Sequence, residues 1–284
     1  MAGDTVRTWG DRGVFRPREL GPPSLALGAP WRLDPVADVP DTVVEAGRVG
    51  ALEVRAASSR GASHRFDGVV RQDAVGVTEL AGRYVLTAVA GGVAAATDTH
   101  LGAQLAVRHA LGYLAWTLPN TGLGALDVAD ALRAADRAVC AAGPDPASRS
   151  TTLTVAVVEL GPTGRGHRYR AARVGNSPAF LLTDGAFLPL FDEPAVRDPA
   201  ADSLPEPRRP AGRARGVLRS GQALVLTSDG VGVPVRETPA GAYLAEAWSE
   251  PPGPVAYLHQ LQFDLRTFDD DRTAAVVWAR REEG

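Results

Sequence analysis

Short apolar runs bounded by turn residues recur along the chain from residue 49 onward, and they predict β-strands. The run at 83–90 is apolar enough to be a central strand of a sheet. The predicted strands span residues 49–57, 75–77, 83–90, 151–160, 168–174, 179–182, 186–190, 223–227 and 274–278.

Apolar residues at helical spacing predict three helices along the same chain. They span residues 97–118, 127–142 and 254–265. Thr97, Asp98 or Thr99 can cap the first helix, and Pro119 is expected to end it. Strands, two helices, further strands and then a last helix and strand follow one another, and this order indicates an α+β sandwich.

Pro, Gly and Arg dominate residues 1–47, where apolar positions show no steady period. This segment is predicted to be an extended N-terminal arm, and residues 48–284 are predicted to form one domain. Within the domain, residues 192–215 are rich in Pro, Arg and Asp and are predicted to form a mobile surface loop. An assembly role for the arm is a minor hypothesis, and partner binding that survives its deletion would contradict it.

Charge and cysteine content exclude several classes of protein. The 284 residues include 30 basic and 33 acidic side chains, so the chain lacks the basic stripe of a nucleic-acid or membrane-surface binder. The single cysteine, Cys140, excludes an internal disulfide framework and fits a reducing compartment. No apolar run reaches about 18 residues and no apolar leader is present, so the protein is expected to be cytoplasmic.

Aspartates stand at predicted strand ends or turns in three segments: Asp73, Asp229 and the run Asp269-Asp270-Asp271. Carboxylates that converge from distant segments are the ligands that hard divalent cations need. Taken singly, each aspartate also fits an ordinary turn. A run of three aspartates is usually solvated, although Asp269 and Asp271 could also add ligands to a metal ion.

The order of several motifs resembles that of the metal-dependent type 2C protein phosphatases, the PPM-type serine/threonine phosphatases. The resemblance covers residues 59–278, roughly three quarters of the chain, and implies a four-layer αββα sandwich with two central, mainly antiparallel β-sheets flanked by helices. The matching segments are Gly61-Ala-Ser-His-Arg65 with Gln72-Asp-Ala74, Ala88-Val-Ala-Gly-Gly-Val-Ala-Ala95, residues 100–107, Ser150-Thr-Thr-Leu153, Val174-Gly-Asn-Ser-Pro-Ala-Phe-Leu-Leu182, Val225-Leu-Thr-Ser-Asp-Gly230 and Asp270-Asp-Arg-Thr273.

The resemblance also implies a metal-dependent hydrolase site. In this family two Mg²⁺ or Mn²⁺ ions activate a water for attack on phosphoserine or phosphothreonine. Carried over by motif, Asp73 and Asp229 would face one ion and Asp270 the other. The carbonyl of Gly92 would add a further oxygen ligand.

Several family positions carry different residues in this chain. The aspartate that bridges both ions falls on Gly91, and the third-metal aspartate falls on Asn176, which keeps an oxygen but loses the charge. The arginine that holds phosphate in many members falls on Gly68. Arg65 or Arg71 could replace it, or both could be ordinary surface arginines.

Two further residues near these motifs have open roles. His64 could act as an acid or base beside the opening motif, or it could be a structural histidine bonded to a backbone carbonyl. Asp98 could reach a metal ion, although capping the first helix explains an aspartate there equally well.

These departures lead to two functional hypotheses. The preferred one is a pseudophosphatase, or a severely weakened phosphatase with weakened binding of one or two ions, that binds a phosphoprotein, a protein kinase or an operon partner. The alternative is an active Mn²⁺- or Mg²⁺-dependent phosphoserine/phosphothreonine phosphatase that uses Asp73, Asp229 and Asp270. Loss of the bridging carboxylate is expected to cost several kcal/mol, roughly a thousandfold in rate.

Overall fold

The computed structural model of the chain describes residues 18–22, 39–93, 96–162, 164–192, 202–207 and 210–280. The strands are β1 (Thr42–Val49), β2 (Leu52–Ser59), β3 (Ala74–Leu80), β4 (Tyr84–Ala90), β5 (Leu153–Glu159), β6 (His167–Val174), β7 (Ala179–Thr183), β8 (Ala186–Pro189), β9 (Gly212–Leu218), β10 (Ala223–Thr227) and β11 (Arg272–Ala279). The α-helices are α1 (Ala62–Asp67), α2 (Thr99–Ala125), α3 (Ala129–Ala141), α4 (Asp229–Glu237), α5 (Ala240–Ala247) and α6 (Pro254–Leu261).

The strands form two antiparallel sheets that pack face to face. One sheet has six strands in the order β1-β2-β11-β10-β7-β8, and the other has five in the order β3-β4-β5-β6-β9. Helices α2 and α3 cover the outer face of the five-stranded sheet, and α4, α5 and α6 cover the outer face of the six-stranded sheet. The predicted four-layer αββα sandwich is confirmed.

Small and β-branched side chains fill the space between the sheets. Val54 and Val277 of one sheet meet Val85 and Ala156 of the other, and none of the four is more than 4% exposed. Strands β4 and β5 are buried at every position because a sheet covers one face and helices cover the other. Each Val or Leu buried in this way contributes roughly 1.5–3 kcal/mol.

Aromatic side chains hold the helical layer against the six-stranded sheet. The ring of Tyr257 on α6 lies between Trp248 and Trp278, at centroid distances of 5.2 and 6.1 Å. Two of the three polar groups in the cluster find backbone acceptors: the Tyr257 hydroxyl donates to the Ala274 carbonyl at 3.1 Å, and Trp278 Nε1 donates to the Trp248 carbonyl at 2.8 Å. Trp248 Nε1 is buried without a hydrogen-bond partner among the described residues. The buried rings therefore position strand β11, which leads directly from the candidate site.

Helix α2 does not end where the sequence predicted. It continues beyond Pro119 to Ala125, and its break lies at Gly122, whose φ of 62° is outside the helical region. Asp98 stands at the N-cap position without a capping hydrogen bond from its side chain. Even this longest helix, like the others in the described ranges, lacks the combination of length and apolar composition that crossing a bilayer requires.

The predicted arm contains residues that belong to the domain. Residues 42–47 form most of β1, which pairs with β2 along its whole length. Farther upstream, residues 18–22 run beside residues 264–266, where the Leu20 N–H donates to the Asp264 carbonyl at 3.0 Å and the Arg266 N–H donates to the Pro22 carbonyl at 2.7 Å. The other residues of the arm lie outside the described ranges.

The predicted mobile loop 192–215 is anchored at two places, and for these parts the prediction was wrong. Residues 212–215 belong to β9. Leu204 is only 1% exposed, and it exchanges backbone hydrogen bonds of 2.8 and 3.0 Å with Thr151. Residues 193–201, 208 and 209 of this segment lie outside the described ranges.

A buried carboxylate, Glu159, ties three strands of the five-stranded sheet together. Its two oxygens accept bonds from Arg83 (Nη2, 2.6 Å) and Arg168 (Nε, 2.9 Å), while its side chain is only 5% exposed. Burial opposes ionisation, but the hydrogen bonds from Arg83 and Arg168 prevail and hold the pKa of Glu159 below its usual value.

Replacing this carboxylate tests its contribution to stability. Because both arginines are 60% exposed, Glu159→Gln is expected to lower the free energy of unfolding at neutral pH by only about 1 kcal/mol. A lowered pKa stabilises the fold above the unfolded-state pKa, so the difference from wild type should shrink as pH falls through the lowered folded-state pKa. Denaturant unfolding between about pH 3 and pH 8 measures it, with Glu45→Gln on the exposed β1 as control. A difference that grew toward acid pH would contradict this assignment.

Candidate metal centre

Four strand ends meet at one edge of the sandwich, and three of them carry acidic residues. Asp73 immediately precedes β3, Gly91 follows β4, Asp229 begins α4 just after β10, and Asp270 and Asp271 precede β11. Asp73 interacts electrostatically with all three of the other carboxylates. The structure therefore brings together the three aspartates that the sequence singled out.

Asp271 is the structural anchor of this edge. Its side chain is 1% exposed, and its two oxygens accept four N–H groups. Oδ1 accepts the Gly61 N–H at 2.7 Å and His64 Nδ1 at 2.8 Å, and Oδ2 accepts the Gln72 and Asp73 N–H groups at 2.5 and 3.2 Å. The expectation of a solvated acidic run is wrong for this residue, because its carboxylate satisfies buried backbone donors.

Asp73 is a buried carboxyl group, only 6% exposed. Desolvation, and then the negative charges of Asp271, Asp270 and Asp229, raise the pKa of Asp73 well above its usual value. Its Oδ2 has no hydrogen-bond partner among the described residues. A buried carboxylate oxygen of this kind is stabilised by either a proton or a cation.

Asp229 stands at the first turn of α4. Its Oδ1 accepts the Gly230 N–H at 3.0 Å, and its Oδ2 accepts Asn176 Nδ2 at 3.3 Å. Desolvation nevertheless raises the pKa of Asp229. The side-chain oxygen of Asn176 is buried without a partner in the described part of the chain, so the amide presents an oxygen as well as the donor it uses.

Asp270 is the most accessible of the three aspartates, with 59% of its side chain exposed. Partial desolvation in the cleft and the charges of Asp271 and Asp229 raise the pKa of Asp270 to about 6, against the opposing effect of His64. Three carboxyl groups with raised pKa values and one unpaired buried oxygen suit the oxygen preference of Mg²⁺ and Mn²⁺.

The spacing of these donors limits how well a single ion would be held. Among the described residues, the ligand atoms that come within 4.8 Å of one another belong to His64, Asp270 and Asp271. Asp73, Asp229 and Asp270 do not form such a close group with one another. Two oxygens on one Mg²⁺ ion are at most about 4.2 Å apart, so binding by all three aspartates requires their side chains to draw together.

Gly91 occupies a position where a side chain would face the acidic cleft. A Cβ atom there would lie 3.4 Å from Asp73 Oδ1, 3.2 Å from Thr152 Oγ1 and 3.5 Å from Ser177 Oγ. Its φ angle is not positive, so the backbone does not require glycine. The carboxylate of an aspartate at position 91 would therefore project beside Asp73.

Gly92, in contrast, is packed too closely for a side chain. A Cβ atom there would approach Thr99 Oγ1 to 2.8 Å and the Cβ of Gln72 to 2.9 Å. The role of its carbonyl as a metal ligand stays a prediction. Residues 94 and 95, which the motif comparison included, lie outside the described ranges.

The two candidate phosphate-binding arginines are both enclosed, and neither is a surface residue. Arg65 donates from Nε and Nη2 to the two oxygens of Asp41 at 3.0 and 2.7 Å. Arg71 is 6% exposed, and its Nε donates to the Pro40 carbonyl at 3.2 Å. Its Nη1 has no hydrogen-bond partner among the described residues, which leaves one donor of Arg71 unused.

Desolvation lowers the pKa of Arg71, while the charges of Asp271, Asp73 and Asp41 oppose that shift. These interactions place the Arg71 guanidinium within electrostatic reach of the acidic cleft. Arg71 therefore lies near the acidic cleft and keeps one spare donor, although that donor, Nη1, is itself buried.

His64 bonds a carboxylate rather than the backbone carbonyl that the sequence left open as an alternative. Its Nδ1 lies 2.8 Å from Asp271 Oδ1, and its Nε2 lies 3.7 Å from Asp270 Oδ1. Burial opposes its protonation, yet the hydrogen bond and charge of Asp271, with the charge of Asp270, raise the pKa of His64.

Sequence reasoning missed residues that support the candidate ligands. Ser228 Oγ accepts the Thr273 N–H at 3.3 Å and hydrogen-bonds the Asp73 carboxyl, and Thr152 Oγ1 lies 2.5 Å from Ser177 Oγ beneath Gly91. The available signal is positional, because each of these hydroxyl residues lies within a matched motif next to a candidate site position.

Comparison with known proteins identifies the fold family. The family described as protein phosphatase 2C matches residues 60–263, more than half of the chain. The chain therefore belongs to the protein phosphatase 2C family. The matched range includes Asp73, Gly91, Asn176 and Asp229 and ends before Asp270. Against the curated proteins, no match was found.

Solved structures with the same fold include bacterial phosphatases. The chain is similar to the serine/threonine phosphatase PstP/Ppp of Mycobacterium tuberculosis, with 21% identity, a TM-score of 0.55 and coverage of 84% of this chain and 100% of that one. It is similar to the catalytic domain of PstP in complex with two manganese ions, with 23% identity, a TM-score of 0.55 and coverage of 81% and 98%. A structure from the bacterial stressosome matches with 18% identity, a TM-score of 0.53 and coverage of 80% and 98%.

Removing the charge of Asp73 is expected to stabilise the metal-free protein. Because Asp73 is buried beside other carboxylates, Asp73→Asn should raise the melting temperature in the presence of a chelator by roughly 2–4 °C. The same change should abolish the additional stabilisation that Mn²⁺ gives to wild type.

Differential scanning calorimetry with chelator and with Mn²⁺ measures both effects. Asp67→Asn on α1 is the matched control, because Asp67 is exposed. A lower melting temperature for Asp73→Asn in chelator would show that this carboxylate stabilises the empty cleft instead.

Proposed function

We propose that this member of the protein phosphatase 2C family acts mainly by binding, with hydrolysis lost or severely weakened. Its cleft would recognise a phosphoprotein, a protein kinase or an operon partner protein. The observation that carries the proposal is the absence of a carboxylate at Gly91, where a Cβ atom would lie 3.4 Å from Asp73 Oδ1. The stressosome structure is described as part of a modular signalling system, which is consistent with a regulatory partner.

The physical reason is electrostatic. Two dications close together repel each other, and a carboxylate shared between them offsets that repulsion. Glycine offers only a backbone carbonyl, and the Gly91 carbonyl already accepts the Thr152 N–H at 2.9 Å and Thr151 Oγ1 at 2.9 Å. The loss is expected to cost several kcal/mol, which corresponds to roughly a thousandfold in rate.

The remaining residues fit the recognition of a phosphorylated segment. Asp73, Asp229 and Asp270 would hold a divalent cation, which when bound supplies positive charge for phosphoryl oxygens. Arg71 would donate from Nη1 to the same phosphate, because that atom has no partner among the described residues. Arg65 would stay paired with Asp41 and would not contact the phosphate.

One observation favours the alternative, an active Mn²⁺- or Mg²⁺-dependent phosphoserine/phosphothreonine phosphatase. Asp73 Oδ2 is buried and unpaired in the described part of the chain, as expected for a ligand atom whose cation is essential. The PstP catalytic domain has been solved with two manganese ions. In this alternative, Asp73, Asp229 and Asp270 would be sufficient for slow hydrolysis.

Restoring the missing carboxylate separates the two functions. We expect wild type to hydrolyse p-nitrophenyl phosphate and a phosphoserine peptide barely above background with millimolar Mn²⁺. Gly91→Asp should raise the rate by roughly ten- to a thousandfold, because its side chain enters space beside Asp73 without backbone strain. Asp270→Ala in the Gly91→Asp background should remove the gain.

Gly112→Asp is the matched control, because a Cβ atom on Gly112 meets nothing within 4 Å. Wild-type activity that equals Gly91→Asp and is lost in Asp270→Ala would establish the active enzyme and refute the proposal. If no variant hydrolyses either substrate, the residue at position 91 is not the cause of the inactivity.

Binding is tested with phosphoserine and phosphothreonine peptides by fluorescence polarisation in the presence of Mn²⁺. We expect saturable binding with the phosphate retained, and at least about a tenfold loss of affinity in Arg71→Gln. Arg108→Gln on the exposed face of α2 is the control, and melting temperatures show whether each variant is folded. Equal affinity of phosphorylated and unphosphorylated peptides would contradict phosphate recognition.

A further inference from the structure

Helix α1 places His64 against the loop that carries Asp270. Ser63 fastens the helix to this loop, since its N–H and Oγ both donate to the Asp269 carbonyl, at 3.0 and 2.9 Å. Gly61, at the N-cap of α1, allows the close approach, because a Cβ atom there would lie 2.4 Å from the Asp269 carbonyl oxygen. His64 is therefore held in place by backbone packing and not only by its own side chain.

Asp271 fixes which nitrogen of His64 carries the proton. Asp271 Oδ1 accepts the Gly61 N–H, and its Oδ2 accepts the backbone N–H groups of Gln72 and Asp73. Both oxygens of Asp271 therefore act as hydrogen-bond acceptors. His64 Nδ1, 2.8 Å from Oδ1, is therefore the donor, and in the neutral ring Nε2 carries the lone pair.

The Nε2 lone pair faces the carboxylate of Asp270. The separation from Nε2 to Asp270 Oδ1 is 3.7 Å, which is too long for a hydrogen bond. Two ligands at about 2.1 Å from one ion are separated by at most about 4.2 Å, so 3.7 Å fits a shared ion without rearrangement. Asp270 Oδ1 is itself oriented by the Asp271 N–H at 2.7 Å.

We propose that His64 Nε2 and Asp270 form a cation position of mixed nitrogen and oxygen character, with Asp271 as the positioning residue that orients the imidazole. A histidine that binds metal through one nitrogen and donates its other N–H to a carboxylate is a recurrent arrangement. The proposal deepens the proposed function, since it names a ligand that the cleft retains while position 91 offers none.

A nitrogen ligand changes which ions the cleft prefers. Carboxylate and carbonyl oxygens suit Mg²⁺, whereas imidazole suits later first-row transition metals. The cleft should therefore bind Co²⁺ more tightly than Mg²⁺, and the difference should depend on His64. An ion can reach this position from solvent, because the side chain of His64 is 17% exposed and that of Asp270 is 59% exposed.

The test uses the full chain with the metal ions alone. Pulsed electron paramagnetic resonance of bound Mn²⁺ should show nitrogen modulation in wild type that disappears in His64→Gln. Isothermal titration should show about a tenfold loss of Co²⁺ affinity in His64→Gln, with Mg²⁺ affinity changed by less than about twofold. His109→Gln on the exposed face of α2 is the matched control.

Asp270→Asn provides a second variant, because the exposed Asp270 side chain can be changed without disturbing the packing around His64. This variant should bind both Co²⁺ and Mg²⁺ more weakly than wild type. Absence of nitrogen modulation in wild type with Mn²⁺ bound, or no binding of Mn²⁺ at all, would overturn the proposal. So would equal losses of Co²⁺ and Mg²⁺ affinity in His64→Gln. These measurements require neither hydrolysis nor a peptide, so their failure can be distinguished from a failure of the proposed function.

Discussion

One buried carboxylate, Asp271, connects the loops that form the candidate metal centre. Without it, the segments that precede α1 and β3 would leave backbone N–H groups unpaired, at about 1–3 kcal/mol for each buried group. The same carboxylate places a negative charge beside Asp73 and Asp270 and so opposes their ionisation. The carboxylate that orders this edge thus adds to its electrostatic repulsion, which a bound cation would reduce.

Much of the fold could be predicted because the central strands are buried on both faces. The apolar run of β4 marks a strand that sheet and helices enclose, and β10 was predicted with its observed bounds. Edge strands gave a weaker signal. β1 is largely exposed, so its polar residues show no alternation, and β9 carries arginines in a segment that resembles a loop.

The residues of the candidate site also differ in how well the sequence could predict them. Asp73 and Asp229 could be found because they stand at turns beside apolar runs, a pattern that is local in sequence. Asp270 could be singled out from the acidic run 269–271 only through the family resemblance. Asp271 could not be distinguished from its neighbours, since its burial depends on backbone groups about 200 residues earlier in the chain. The enclosure of Arg71 likewise depends on residues just before an edge strand that the sequence did not predict.

Those residues, Pro40 and Asp41, link the chain upstream of β1 to the cleft. The Pro40 carbonyl holds Arg71, and the Asp41 carboxylate holds Arg65, while the Asp41 carbonyl accepts the Arg60 N–H at 2.8 Å. Two consecutive residues, Pro40 and Asp41, therefore orient the guanidinium groups of Arg71 and Arg65. A change in the chain on the N-terminal side of Pro40 would therefore be expected to move the Arg65 and Arg71 side chains together, and with them the positive charge beside the acidic cleft.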